Sequence, residues 1–334
     1  LPILIPSGKL PKYSYIPELN EKIAEMVAGL NSGQVFLVNQ AQGFNWQDYT
    51  VHDKVHPNKA GAEKMATVWF EALKKVLASS ETVFSPEIVR YKTLEDGDSL
   101  ALHIFKPRNM QAGEKRPAIV YFFGGGWKLG TPIQFYRECA YYASKGMVAV
   151  SVDYRIGYLH HSTPFESFED AKDAICWLRS HASDYQLDPD KIAVAGGSAG
   201  GHLAAALGTI GSDETVPAGY RPNLSVLYYP VIDMVSRGYG FPEIKRDFEK
   251  ISPIHHVSEA TPSTLILLGT KDPIVSVETI EAYQDKLLQK GVDCELHLFE
   301  GAGHPIFLYR KPLTEEYYKV RKLTDDFLKR QGFL

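Results

Sequence analysis

Short apolar runs recur through the second part of the chain, each bounded by polar or glycine-rich stretches. Residues 118–123 read AIVYFF and are apolar throughout, the pattern of a strand buried on both faces. Similar runs at 147–152, 191–195, 224–229, 264–268 and 294–299 predict further strands. Between them, residues 134–145, 167–181, 199–207 and 276–290 carry helical spacing. Ahead of this series, 87–94 and 100–106 predict a hairpin turning at Glu95-Asp96-Gly97-Asp98. Strand–helix alternation with buried strands predicts an α/β fold, a mostly parallel central sheet flanked by helices.

Residues 1–78 have a different rhythm. They predict a strand-like start, a helix from Ile16 to Leu30, a strand from Gln34 to Asn39, a loop, and a helix from Asn58 to Leu77. In the last helix Ala62, Met65, Ala66, Trp69, Leu73 and Val76 recur at three- and four-residue steps. The change at Ala78-Ser79-Ser80 predicts two domains, 1–78 and 79–334.

Composition narrows the class. The 334 residues are 44% hydrophobic and 23% charged, as in a globular protein, with a formal net charge of −4. That balance argues against nucleic acid as a partner. No run approaches the ~20 apolar residues that span a bilayer. The opening Leu1-Pro2-Ile3-Leu4-Ile5-Pro6 lacks a basic segment and does not read as a signal peptide, so the compartment stays unassigned. Absence of an initial Met fits a processed or truncated form. Cys139, Cys176 and Cys294 are widely spaced, which argues against a disulfide framework or a zinc site and predicts buried thiols.

The candidate chemistry lies at strand ends. Residues 191–203 read KIAVAGGSAGGHL, with Gly196-Gly197-Ser198-Ala199-Gly200 as G-x-S-x-G between a strand and a helix. A strand-to-helix turn this tight strains the serine backbone, projects its Oγ, and leaves no room for a Cβ at 196 or 200. Serine needs a base to act as a nucleophile. In this arrangement an acid and then a histidine follow. Residues 264–272, TLILLGTKD, present Asp272 after a strand, and 294–304, CELHLFEGAGH, present His304 after the next. Asp272 as a mere helix cap before Pro273, His304 as an ordinary loop residue, and Asp233 as the acid stay open. Residues 119–130, IVYFFGGGWKLG, place three glycines after a buried strand, where backbone N–H groups can face a substrate oxygen; Ala199 supplies another.

The remaining candidates are weaker. His160-His161 and His255-His256 are sequence neighbours that point apart, which disfavours a shared metal. His202 reads as a packed helix residue. Trp127 and Tyr158 suit either a sugar platform or loop packing.

Over about residues 85–330 the chain resembles the hormone-sensitive-lipase-like esterases of the α/β-hydrolase fold. The marks are Phe-Phe-Gly-Gly-Gly-Trp at 122–127, Asp153-Tyr154-Arg155, Asp170 and Trp177, Gly-Gly-Ser-Ala-Gly-Gly at 196–201, and the Gly-Thr-Lys-Asp and Gly-Ala-Gly-His turns. The resemblance implies catalysis by Ser198, Asp272 and His304, with Gly125, Gly126 and Ala199 as oxyanion donors and no cofactor or metal. It departs at Phe123, where the family usually has His; this affects the hydrogen bonds that hold the loop. It departs again in the small segments available for a cap, including the short insertion 234–261, which implies an open site able to admit a bulky alcohol such as a sugar.

The stretch 35–73 is similar to the C-terminal third of SGNH (GDSL-type) hydrolases, through Val-Phe-Leu-Val-Asn, Asp53-Lys54-Val55-His56-Pro57-Asn58 and Ala60-Gly61. There Asp53 and His56 would be acid and base. No serine motif precedes them, which implies a remnant without its own activity. The expected function is a serine carboxylesterase for short-chain acyl esters, with a small-molecule or carbohydrate (plant polysaccharide) ester as substrate. A feruloyl-type esterase, a prolyl-oligopeptidase-type peptidase and a non-catalytic binding module remain alternatives. A homodimer is left open.

Overall fold

A computed structural model describes residues 2–29, 37–79, 85–108, 110–111, 113–211, 219–234, 247–308 and 313–334. The chain divides into two compact units, Leu1–Val83 and Phe84–Leu334.

In the first unit, β1 (Pro2–Ile3) pairs in parallel with β2 (Val38–Asn39). Helices α1 (Ile16–Gly29), α2 (Trp46–Tyr49) and α3 (Lys59–Ser79) follow the chain. The strand expected from Gln34 is described only at Val38–Asn39, since 34–36, like Leu30 at the end of α1, lie outside the described residues. Helix α2 escaped the periodicity argument because four residues make barely one turn. It is set instead by the Asn45 side chain, which accepts from the Gln47 N–H.

The second unit holds an eight-stranded sheet. Its strands are β3 (Glu87–Thr93), β4 (Ser99–Phe105), β5 (Arg116–Phe122), β6 (Val148–Val152), β7 (Leu187–Gly197), β8 (Leu224–Tyr228), β9 (Ser263–Gly269) and β10 (Cys294–Phe299). They lie in the order β10-β9-β8-β7-β5-β6-β4-β3. From β10 across to β6 every pairing is parallel, while β4 runs antiparallel to both β6 and β3. This is the expected mostly parallel α/β sheet. Register pairs Phe122 with Gly196 and Gly197 with Tyr228, so the carboxyl ends of β5, β7 and β8 finish level. Residues 118–122 of β5 are fully buried, as an apolar run covered on both faces must be.

Helices α4 (Tyr136–Ser144), α5 (Gly157–His160), α6 (Pro164–Ser180), α7 (Ala182–Tyr185), α8 (Ala199–Thr209), α9 (Val277–Gln289) and α10 (Glu315–Arg330) connect or follow the strands. The helix expected at 134–145 begins instead as a 3₁₀ turn at Pro132–Phe135. Helix α6 starts earlier than its apolar spacing suggests, because Thr163 and Glu166 cap it: the Glu166 carboxylate accepts from the Thr163 N–H at 2.7 Å. Inside α6, Asp170 is fully buried and takes Arg155 Nε and Nη2, each at 2.8 Å, together with Lys92 Nζ at 2.6 Å. That cluster ties α6 to β3 and to the segment after β6.

One thiol corrects expectation. Cys139 and Cys294 are buried, but Cys176 lies on the exposed face of α6. Among the described residues no helix is long and apolar enough to cross a membrane.

Candidate active site

Ser198 sits in the turn between β7 and α8 with φ 57° and ψ −119°. Such a conformation costs a non-glycine residue on the order of 1–3 kcal/mol and persists only where its surroundings impose it. Here the Ser198 N–H donates to Tyr228 O at 3.0 Å, and Ser198 O accepts from the His202 N–H at 2.9 Å. The glycines permit the close packing. A Cβ on Gly196 would stand 2.3 Å from Gly200 O, and one on Gly200 would stand 2.0 Å from Phe122 O. Helix α8 is therefore driven against the end of β5, with its positive end at Ser198.

Asp272 and His304 follow β9 and β10. Their two loops are laced together: Lys271 N–H donates to Ala302 O at 2.9 Å, and Gly301 N–H donates to Thr270 Oγ1 at 2.8 Å. Gly269 makes room, since a Cβ there would lie 2.3 Å from Ala302 O. The result brings three distant residues into line. His304 Nδ1 donates to Asp272 Oδ2 at 2.6 Å, and Ser198 Oγ donates to His304 Nε2 at 2.8 Å. The Asp272 side chain is fully buried. Burial pushes its carboxyl upward, but hydrogen bonds from His304 and from the Val275 and Ile274 N–H groups outweigh this and hold it below the ordinary carboxylate range. A carboxylate at Nδ1 fixes the tautomer and leaves Nε2 to accept the hydroxyl proton. The helix-cap alternative for Asp272 does not hold: Ser276 caps the following helix, and the other oxygen of Asp272 accepts from the Ile274 and Val275 N–H groups of the turn before it. Asp233 Oδ1 lies 3.9 Å from His255 Nε2, and the carboxylate bonded to His304 Nδ1 is that of Asp272.

The loop after β5 crosses the same site. Gly125 (φ 143°), Gly126 (φ 63°) and Trp127 (φ 58°) take left-handed backbone. Among the described residues the N–H groups of Gly125, Gly126 and Ala199 donate to no other protein group. Phe123 brings no side-chain hydrogen bond. Its ring stacks on Tyr154 with centroids 4.1 Å apart, and the loop is held by neighbours: Tyr154 OH donates to Phe123 O, and the Gly124 N–H donates to Gln134 Oε1, both at 2.6 Å.

Around this centre, Trp127 is 1% exposed and packs its ring edge-on against His202, which rules it out as a sugar platform. Tyr158 is 71% exposed beside the loop, its N–H bonded to Lys128 O. The Tyr229 ring stands 4.8 Å from the His304 ring. Gln134 and Tyr229 carry no motif signal for this site; Tyr154 lies in the Asp153-Tyr154-Arg155 mark, but that mark does not show that its hydroxyl holds Phe123 O. The small insertion expected at 234–261 falls partly on 235–246, outside the described residues. Among the described residues no three His, Cys, Asp or Glu side chains cluster as metal ligands.

In the first unit Asp53 and His56 do meet: His56 Nδ1 donates to Asp53 Oδ2 at 2.5 Å. The His56 side chain and the backbone N–H groups of His56 and Val55 hold the Asp53 carboxyl well below the usual range. Among the described residues no hydroxyl donates to His56.

Comparisons with known proteins point to the same fold. The family model BD-FAE matches residues 102–246. A solved structure of a thermophilic esterase from the planctomycete Thermogutta terrifontis is 36% identical with a TM-score of 0.70, covering 75% of this chain and 94% of that one. Its propionate-bound form aligns equally well, at 0.70 and 36% over 75% of this chain and 96% of that one. Among curated proteins, esterase LipC of Mycobacterium tuberculosis is 28% identical over 63% of this chain and 57% of its own length. An acetylxylan esterase of Xylanibacter ruminicola is 26% identical over 63% of this chain and 44% of its own. The chain thus spans about half the length of the curated relatives it matches.

Proposed function

Because this chain belongs to the α/β-hydrolase esterases, we propose that it is a cofactor-free serine carboxylesterase acting on short-chain acyl esters. The observation that carries the reading is the relay of 2.8 and 2.6 Å from Ser198 through His304 to Asp272, beside a glycine loop whose Gly125 and Gly126 N–H groups donate to no protein group among the described residues. Ser198 Oγ attacks the acyl carbon while its proton passes to His304 Nε2. Asp272 keeps Nδ1–H bonded and stabilises the imidazolium. The N–H groups of Gly125, Gly126 and Ala199 hold the oxyanion. His304 then protonates the departing alcohol, and water activated by the same imidazole frees the acyl group.

The propionate held by the Thermogutta relative supports a short acyl chain, and the acetylxylan esterase relative supports a carbohydrate alcohol. Residues 1–78 are read as a partial SGNH-like segment without chemistry, because among the described residues no hydroxyl donates to the His56 of the Asp53–His56 pair.

The test is a p-nitrophenyl ester series from acetate to octanoate, followed through the first turnover. A burst is expected, with kcat/KM falling as the acyl chain lengthens. Ser198→Ala is expected to lower kcat by at least about a thousandfold. His56→Ala is expected to leave it within about twofold, since that group stands outside the reaction. Full activity in Ser198→Ala sinks the proposal. Acetylated xylan, feruloylated sugars and N-acylaminoacyl anilides run alongside separate acetyl esterase, feruloyl esterase and peptidase.

A further inference from the structure

We propose that Gln134 and Tyr154 are positioning residues that aim the oxyanion donors by gripping a single peptide unit from both sides. The inference rests on the esterase reading above. Tyr154 OH donates to Phe123 O at 2.6 Å, and the Gly124 N–H donates to Gln134 Oε1 at 2.6 Å. That carbonyl and that N–H are the two ends of one planar amide. With both ends bound, the plane cannot turn about its flanking torsions, and those torsions set where the N–H groups of Gly125 and Gly126 point.

Both grips are anchored in the scaffold. Tyr154 is fully buried, and its ring lies on the Phe123 ring at 4.1 Å and 15°. The side chain that replaces the expected His therefore seats the residue that holds its own carbonyl. Gln134 belongs to the 3₁₀ turn Pro132–Phe135, which is pinned to the sheet twice. Ser151 Oγ on β6 donates to Pro132 O at 2.7 Å, and the Phe135 ring stacks on Tyr121 of β5 at 4.8 Å. The gripped peptide also lies against the Ser198 turn: a Cβ on Gly124 would be 2.8 Å from Gly197 O and 3.4 Å from Ser198 Cβ. An error in its orientation is passed directly to the space between serine and donors.

Oxyanion donors act by being aimed before the charge appears, so a loosened loop weakens transition-state binding more than substrate binding. Gln134→Met keeps the length of the side chain and removes the acceptor. Tyr154→Phe keeps the stacked ring and removes the donor. Each is expected to lower kcat for p-nitrophenyl acetate by about ten- to a hundredfold with KM within about threefold. The double variant is expected to be little worse than the poorer single one, because either break frees the same plane.

Hydrogen–deuterium exchange across 122–130 supplies a readout independent of turnover, and it should quicken in Gln134→Met while the rest of the sheet is unchanged. Unaltered exchange, unaltered kcat, or a loss carried by KM overturns the inference. If Tyr154→Phe fails to fold, Gln134→Met decides alone. A wild-type chain with neither burst nor turnover overturns the esterase reading, and the positioning role of Gln134 and Tyr154 falls with it. Normal wild-type turnover with an unaffected Gln134→Met chain overturns the positioning role alone.

Discussion

His202 follows Ser198 by four residues and is wholly buried, its Nε2–H donating to Ile251 O at 2.7 Å and its ring against Trp127. Burial drives its pKa from 6.5 down to about 4. An unfolded chain would take up this proton near pH 6.5 and the folded one only near pH 4, so between those values the unfolded state binds more protons and stability falls as pH falls. The full loss across the window is about 3 kcal/mol. Asp153, raised by burial to about 6, works in the opposite sense, losing stability as pH rises from 3.8 to about 6. Comparing wild type with His202→Gln cancels that contribution. Melting of the wild type should fall more steeply from pH 6.5 to 4.5 than melting of the variant; equal slopes would show that His202 carries no linkage.

At this scale the sequence made Ser198, Asp272 and His304 visible because glycine-rich turns at strand ends mark places where backbone must approach backbone. Gln134 and Tyr229 had no such mark. Their partners, Gly124 and His304, are brought to them by loops and strands that only the folded sheet sets side by side.

Helix α6 depends on one carboxylate. Asp170 is buried with Arg155 and Lys92 converging on it, and these cations are themselves about a fifth exposed. Asp170→Asn removes the charge and turns one acceptor into a donor facing a cation. The expected cost is about 3 kcal/mol, toward the lower end for a broken buried pair because the cations retain some water. A urea titration should show a lower midpoint with an unchanged slope; a midpoint that stays put would refute it. The apolar strands were legible because runs such as AIVYFF leave little choice of partner but the core. Helix α10 was not read, though it buries Tyr317, Val320, Thr324, Phe327 and Leu328. Its buried residues are separated along the sequence by Lys319, Arg321, Lys322, Asp325 and Asp326, so the segment's apolar content is thin even where its spacing is helical. Helix starts shifted for a related reason: Thr163 with Glu166, and Pro132, set them through backbone groups that periodicity does not register.

The larger core consists wholly of residues from the second unit, as does the candidate site. A chain of residues 84–334 should therefore fold in one cooperative transition and keep ester kcat/KM within about threefold of the full chain. Calorimetry and p-nitrophenyl acetate kinetics on the shortened chain check this; an insoluble or inactive product would show that residues 1–83 complete the fold. The composition change at Ala78-Ser79-Ser80 lies close to the observed division at Val83–Phe84, with 80–84 themselves outside the described residues. What residues 1–78 do is not written in local pattern, since a paired Asp53 and His56 look alike whether or not they serve a nucleophile.

Gly196, Gly200 and Gly269 each stand where one added carbon would meet a backbone oxygen at 2.0–2.3 Å. In a saturation scan selected by growth or turnover, these positions would be as silent as Ser198 or His304, although none of them handles a proton. Intolerance alone would enrol them as chemistry. Reading out soluble yield in the same library would divide the two groups, because changes at Ser198 remove a hydroxyl while these changes remove room.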